Sequence, residues 1–147
     1  MPQLQKIPHD VLEIVKEVVE ERIPFNKLIS MKVEAFNHDS FCLKIDMREE
    51  LVGNFVQGIL HGGVIAATLD VVGGFTAFLS VISQMEGSTP AEKMQRFSRT
   101  GTIDLRIDYL RPGRGKHFIA TGYVLRTGSK VSVTRMELHN DEDILID

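Results

Sequence analysis

His61-Gly62-Gly63-Val64-Ile65-Ala66-Ala67-Thr68-Leu69-Asp70-Val71-Val72-Gly73-Gly74-Phe75-Thr76-Ala77-Phe78-Leu79-Ser80-Val81-Ile82-Ser83 is the stretch on which the fold turns. From Val64 to Ile82, nineteen residues carry one charge, Asp70. As a helix from Gly62 to Ser83 the run would be about 33 Å long, enough to cross a small domain. Its large residues include Val64, Ile65, Leu69, Val72, Phe75, Phe78, Leu79 and Ile82. Gly63, Ala66, Ala67, Gly73, Gly74 and Ala77 leave a narrow face about Asp70, where another backbone can approach closely. Hydropathy alone also allows a membrane span, but an aspartate near its middle is costly in lipid. A helix apolar on nearly all sides belongs inside a structure, wrapped by a sheet and by a partner subunit, so no membrane span is expected.

Working outward, His9 to Arg22 reads as a first helix, with Val11, Leu12, Val15, Val18 and Val19 on one side. Pro8 can open it and Pro24 blocks its simple continuation. Two strands are expected next. Ile29, Met31, Val33 and Ala35 alternate with polar residues, then Phe41, Leu43, Ile45 and Met47 do the same, with a turn at Asn37-His38-Asp39. Residues 48–60 are less regular. Beyond the central helix, 84–99 reads as a loop with a helical turn at 91–97. Ile103, Leu105, Ile107 and Tyr109 then give the cleanest strand alternation in the chain. Further strands are expected from Lys116 to Arg126 and from Val131 to Leu138, with a bulge near Arg135, and a last apolar onset at Ile144-Leu145-Ile146. The order predicts an α+β domain in which five or six antiparallel strands curl around one helix.

The rest of the composition bounds the function. With 147 residues the chain suits one domain, residues 1–147. A formal net charge of -3 argues against a general nucleic-acid binder. The single cysteine, Cys42, can form no intrachain disulfide, and no Cys/His group has zinc spacing, so no metal or cofactor is expected and a cytoplasmic setting fits.

Glycines after His61 expose first-turn N–H groups, which can hold an oxygen gaining negative charge; a plain glycine-rich helix start is the competing reading. Asp70, two to three turns inside, can be a general base or a nucleophile, or a buried aspartate satisfied by a Thr or by backbone. His61 can cap, orient the turn or line a cleft, and Asn54 can position water or serve its loop. Arg111, Arg114 and Lys130 sit among basic residues at strand ends, suited to phosphates or to a solvated rim.

The stretch from Gly58 to Ala77, with Tyr109-Leu110-Arg111-Pro112 before Gly115 and Arg126-Thr127-Gly128-Ser129-Lys130, resembles the PaaI-like hotdog thioesterases over roughly residues 28–146. The resemblance implies a hotdog fold, a homodimer with two interface sites (a tetramer being the alternative), and metal-free hydrolysis of acyl-CoA. It matches the family aspartate to Asp70, the polarising backbone amide to Gly62 and the pocket histidine to His61. The family asparagine falls at Phe55, one residue from Asn54. Gly63, Phe55, Val56, Arg111, Arg114 and Lys130 are the expected substrate contacts, for a medium or long aliphatic acyl chain and its CoA. Family members continue through a final strand beyond the point where this sequence stops. A noncatalytic acyl-CoA sensor and a hotdog hydratase or dehydratase are the competing functions.

Overall fold

The computed structural model describes residues 9–37 and 39–147. Pro8, expected to open the first helix, and His38, expected in a turn, lie outside them. The first helix α1 (His9–Glu17) buries Val11 and Val15, and the helical run continues as a π turn at Val18–Arg22. Ile23 donates to the Val18 carbonyl at 3.1 Å. Pro24 has no N–H to offer the next carbonyl, that of Val19. The buried Asn26 supplies one instead, its Nδ2 donating to Val19 O at 3.1 Å. Pro24 stops one helix and starts another, because its fixed φ suits a first helical position. Thus α2 (Pro24–Ile29) replaces the strand onset expected at Ile29, and Ser30 closes it in the left-handed conformation.

Strands β1 (Lys32–Phe36), β2 (Ser40–Asp46), β5 (His117–Thr127) and β6 (Ser132–Asn140) form one antiparallel sheet in the order β1-β2-β5-β6, with β3 (Val52–Asn54) and β4 (Ile59–Leu60) as a separate small hairpin. Residues 144–147 lie antiparallel beside β6: Ile146 donates to Leu138 O at 2.7 Å, and Leu138 to Asp147 O at 2.8 Å.

Across the sheet lies α3 (Gly62–Ser83), spanning the residues expected. It is long and apolar enough to cross a membrane, but here it forms the core. Leu69, Val72, Phe78, Leu79 and Ile82 are almost fully buried against Phe41, Leu43, Ile45, Phe118, Ala120 and Leu138. Each such side chain contributes about 1.5–3 kcal/mol by leaving water. The middle strand is pared down where the helix crosses it. A Cβ on Gly122 would overlap Thr76 Oγ1, and a Cβ on Gly73 would come within 2.9 Å of Met136 Sδ. After α3, the helix α4 (Pro90–Phe97) starts in a Thr89/Glu92 capping box and lays Phe97 on Phe75 and Phe78.

Two expectations on strands need correction. Residues 102–109 run beside α3 but join no ladder, the first bond being Leu110 N to Ile146 O at 3.0 Å. Alternation declares which side chains are apolar, whereas a ladder also needs a neighbouring backbone. A register irregularity does lie beside Arg135, opposite Thr134 and Val133, but the extra residue is in β5, between Val124 and Arg126, and not in β6. Val133 simply faces outward.

Candidate active site

The β3–β4 hairpin delivers the start of α3. Leu60 donates to Gly113 O at 2.9 Å and His61 to Leu51 O at 2.8 Å, fixing the chain just before the helix. His61 is the N-cap, with extended backbone angles, and its Nδ1 accepts from Gly63 N–H at 2.8 Å. That bond assigns the ring proton to Nε2. A side chain at Gly63 would start 2.9 Å from Nδ1, so a larger residue there would displace the capping ring. The His61 carbonyl accepts from Val64 and Ile65 at 3.0 and 3.2 Å. The Tyr109 hydroxyl donates to the Gly62 carbonyl at 3.0 Å. Among the described residues, nothing accepts the Gly62 N–H. It is the unspent donor of the first turn, at the positive end of a long helix.

Beside it opens a groove of about 300 Å³, whose walls include Leu60, Gly62, Ile65, Tyr109, Leu110 and Arg111. Asp70 is half-buried on the same helix, about 12 Å farther along its axis. One carboxylate oxygen accepts from the Thr102 hydroxyl at 2.7 Å. A single segment, 102–109, thus touches both the carboxylate and the glycine turn. Neither Thr102 nor Tyr109 was among the expected site residues. Each ends the alternating run that follows the central helix; Thr102 has no other sequence signal, whereas Tyr109 also opens the Tyr109-Leu110-Arg111-Pro112 stretch that carries the resemblance.

The other expected residues divide. Asn54 Oδ1 accepts from Val56 and Gln57 N–H at 3.1 and 3.2 Å, serving its own loop. Phe55 and Val56 stand at the tip of that loop, 88% and 80% exposed. Arg114 braces the loop, donating to Gln57 O and Oε1 at 3.2 and 2.9 Å, while Arg111 donates to Leu145 O at 2.9 Å. Both guanidinium groups remain exposed near the groove. Asp141 steadies the turn behind them; the Lys116 N–H, donating at 2.9 Å, holds its carboxyl below the usual carboxylate range. Lys130 lies in the β5–β6 turn, next to Ser129, whose carbonyl accepts from Arg96. That turn meets α3 through Ser80 and Thr127, about 27 Å along the axis from Gly62. One chain therefore does not bring Lys130 to Arg111 and Arg114. Among the described residues no three His, Cys, Asp or Glu side chains gather as a metal site.

The profile of the thioesterase superfamily matches residues 57–146. The medium/long-chain acyl-CoA thioesterase YigI of Escherichia coli K12 is 46% identical over 135 residues, 92% of this chain and 87% of that protein. A crystal structure from Shewanella oneidensis, described as related to the thioesterase superfamily, has 47% identity and a TM-score of 0.89, covering 93% of this chain and 90% of its own. The E. coli PaaI protein superposes with a TM-score of 0.71 over 94% of this chain and 87% of its own; at 15% identity it speaks for the fold alone. The family match spans well over half of the sequence and includes both Gly62 and Asp70, and the chain belongs to the thioesterase superfamily.

Proposed function

We propose that this protein hydrolyses acyl-CoA thioesters to free acid and CoA, acting on medium or long aliphatic chains at sites shared between two protomers. The observation that carries the reading is the unspent N–H of Gly62 at the head of α3, a residue that lines a groove walled largely by apolar side chains. A donor there polarises the thioester carbonyl and holds the oxyanion of the tetrahedral state. Attack then needs a base or nucleophile. Asp70 takes a proton from water as the water oxygen bonds the carbonyl carbon, or its own oxygen bonds that carbon first. In the first case collapse breaks the C–S bond, and the proton taken from water goes to the departing sulfur, giving free acid and CoA thiol. In the second, C–S cleavage leaves an acyl anhydride on Asp70, and water then adds to it, releasing the acid, restoring the carboxylate and supplying the proton that ends on the CoA sulfur.

The helix geometry supports a shared site. Gly62 N–H and Asp70 of one chain, about 12 Å apart along α3, are too far apart to act on one carbonyl. Gly62 of one protomer therefore works with the partner's Asp70. A homodimer is the minimum active unit, and a tetramer of two such dimers keeps the same sites. The open face at Gly74 and the unpaired, exposed 102–109 segment suit such a partner. Arg111 and Arg114 receive the CoA phosphates, which Lys130 reaches only from another protomer. The preference for medium or long chains rests on the relative's name and the apolar groove. A cytoplasmic location fits a substrate made inside cells and a chain with one cysteine.

The test is thiol release from saturated acyl-CoAs of graded length. Turnover rising toward medium and long chains is expected. Saturable acyl-CoA binding with no turnover at any length would overturn the hydrolase reading and leave a sensor.

A further inference from the structure

We propose that Tyr109 is a positioning residue of this site, aiming the Gly62 N–H by clamping the peptide that follows it. The inference rests on the reading that this N–H polarises the thioester. Two peptide planes meet at the Gly62 Cα. The one before it is pinned at its oxygen, since His61 O accepts from Val64 and Ile65. The one after it is pinned at both edges: Tyr109 Oη donates to its oxygen at 3.0 Å, and His61 Nδ1 accepts from its N–H at 2.8 Å. Glycine is otherwise the freest residue in the chain, and an N–H that swings cannot be preorganised for an oxyanion.

Tyr109 adds a second constraint. A Cβ on Gly62 would lie 3.3 Å from Tyr109 Cε1 and 3.4 Å from its Cζ and Oη. The ring thus rests on the bare Cα, and a Cβ at residue 62 would push it aside by a few tenths of an ångström. Such a contact holds the turn from the groove side, where both Gly62 and Tyr109 line the wall. The hydroxyl is placed by a segment that also carries Thr102, so the two anchors of the site hang on one piece of backbone.

Tyr109→Phe removes the hydroxyl and keeps the ring, so folding and the groove wall should survive. The expected result is a kcat lower by about five- to tenfold, the range of one ordinary hydrogen bond, with KM within about twofold. In a Gly62→Pro background, which lacks the N–H, the same change should cost nothing further in kcat. A merely structural or binding role would lower both backgrounds alike or move KM. Either of those outcomes, or an unchanged kcat in the single variant, overturns the proposal. The amide itself gives an independent readout. ¹⁵N relaxation should find Gly62 and Gly63 as ordered as the rest of α3, and less ordered in Tyr109→Phe. Unchanged order overturns the clamp. Absent turnover by the unmodified protein with order lost in the variant would overturn the thioesterase reading and keep the clamp.

Discussion

At the residue scale the site reduces to one donor and one carboxylate, and each has a conservative test. Asp70→Asn keeps the shape and can still accept from Thr102, but it cannot serve as the same base or nucleophile. Turnover should fall by about 10²–10⁴-fold, with melting temperature and light scattering unchanged. Near-normal kcat on the best acyl-CoA would remove Asp70 from the mechanism. Thr102→Val deletes the 2.7 Å bond that steadies the carboxylate. Because that bond is to a charged but partly solvated group, about tenfold in kcat is expected, with Thr102→Ser restoring it. Equal losses in Val and Ser would assign Thr102 to packing instead. Asp70 stood out in the sequence because a lone charge inside nineteen residues of apolar helix has few structural excuses. Thr102 did not, since an alternating strand pattern specifies faces and is silent on which hydroxyl meets which carboxylate. Asn54 was ambiguous for a related reason: polar loop residues bond their own backbone as readily as anything else, and its bonds to Val56 and Gln57 follow the second of its two readings.

At the element scale, α3 and the sheet were legible wherever period and burial agreed. Gly62–Ser83, β2 and β5 fall within about one residue of their expected bounds. What escaped was governed by single atoms. Pro24's missing N–H ends the π turn and its fixed φ starts a new helix, which reaches the residue expected to open a strand, and the backbone neighbour that 102–109 lacks is invisible in a hydrophobic pattern. The closest helix–sheet contact offers the sharpest prediction. Gly122 sits where a Cβ would overlap Thr76 Oγ1 and press Val72 Cγ1 at 2.8 Å. Thr76 cannot turn aside freely, because its hydroxyl donates to Val72 O at 2.6 Å. Gly122→Ala should therefore cost about 1–3 kcal/mol through overpacking, seen as a lower denaturation midpoint with an unchanged slope. Gly74→Ala, which meets nothing within 4 Å in the single chain, should leave the protomer's own packing unaffected.

At the scale of the whole molecule, the question is which chain supplies which half of the site, and two defective chains can answer it. Let one protomer carry Asp70→Asn and the other Gly62→Pro. Proline is a fair probe at residue 62. It occupies the first helical position, where proline is favoured, and it removes only the N–H under test. His61, at φ −61 and ψ 132, already has the extended conformation that a residue before proline prefers. The Tyr109 ring must yield by a few tenths of an ångström, so light scattering and thermal unfolding of each homodimer come first. In a heterodimer purified through two different tags, a shared site pairs the intact Gly62 of the first chain with the intact Asp70 of the second. The other site carries both lesions. The heterodimer should then recover about half of the unmodified dimer's turnover, although each parent homodimer is nearly inactive. If one chain builds a whole site by itself, each protomer of the heterodimer retains one lesion and no activity returns. That result would defeat the shared site, whose case rests on the 12 Å of helix between Gly62 and Asp70. Recovery to about half would instead assign the two halves to different chains, because no arrangement within a single chain can repair both lesions by association alone.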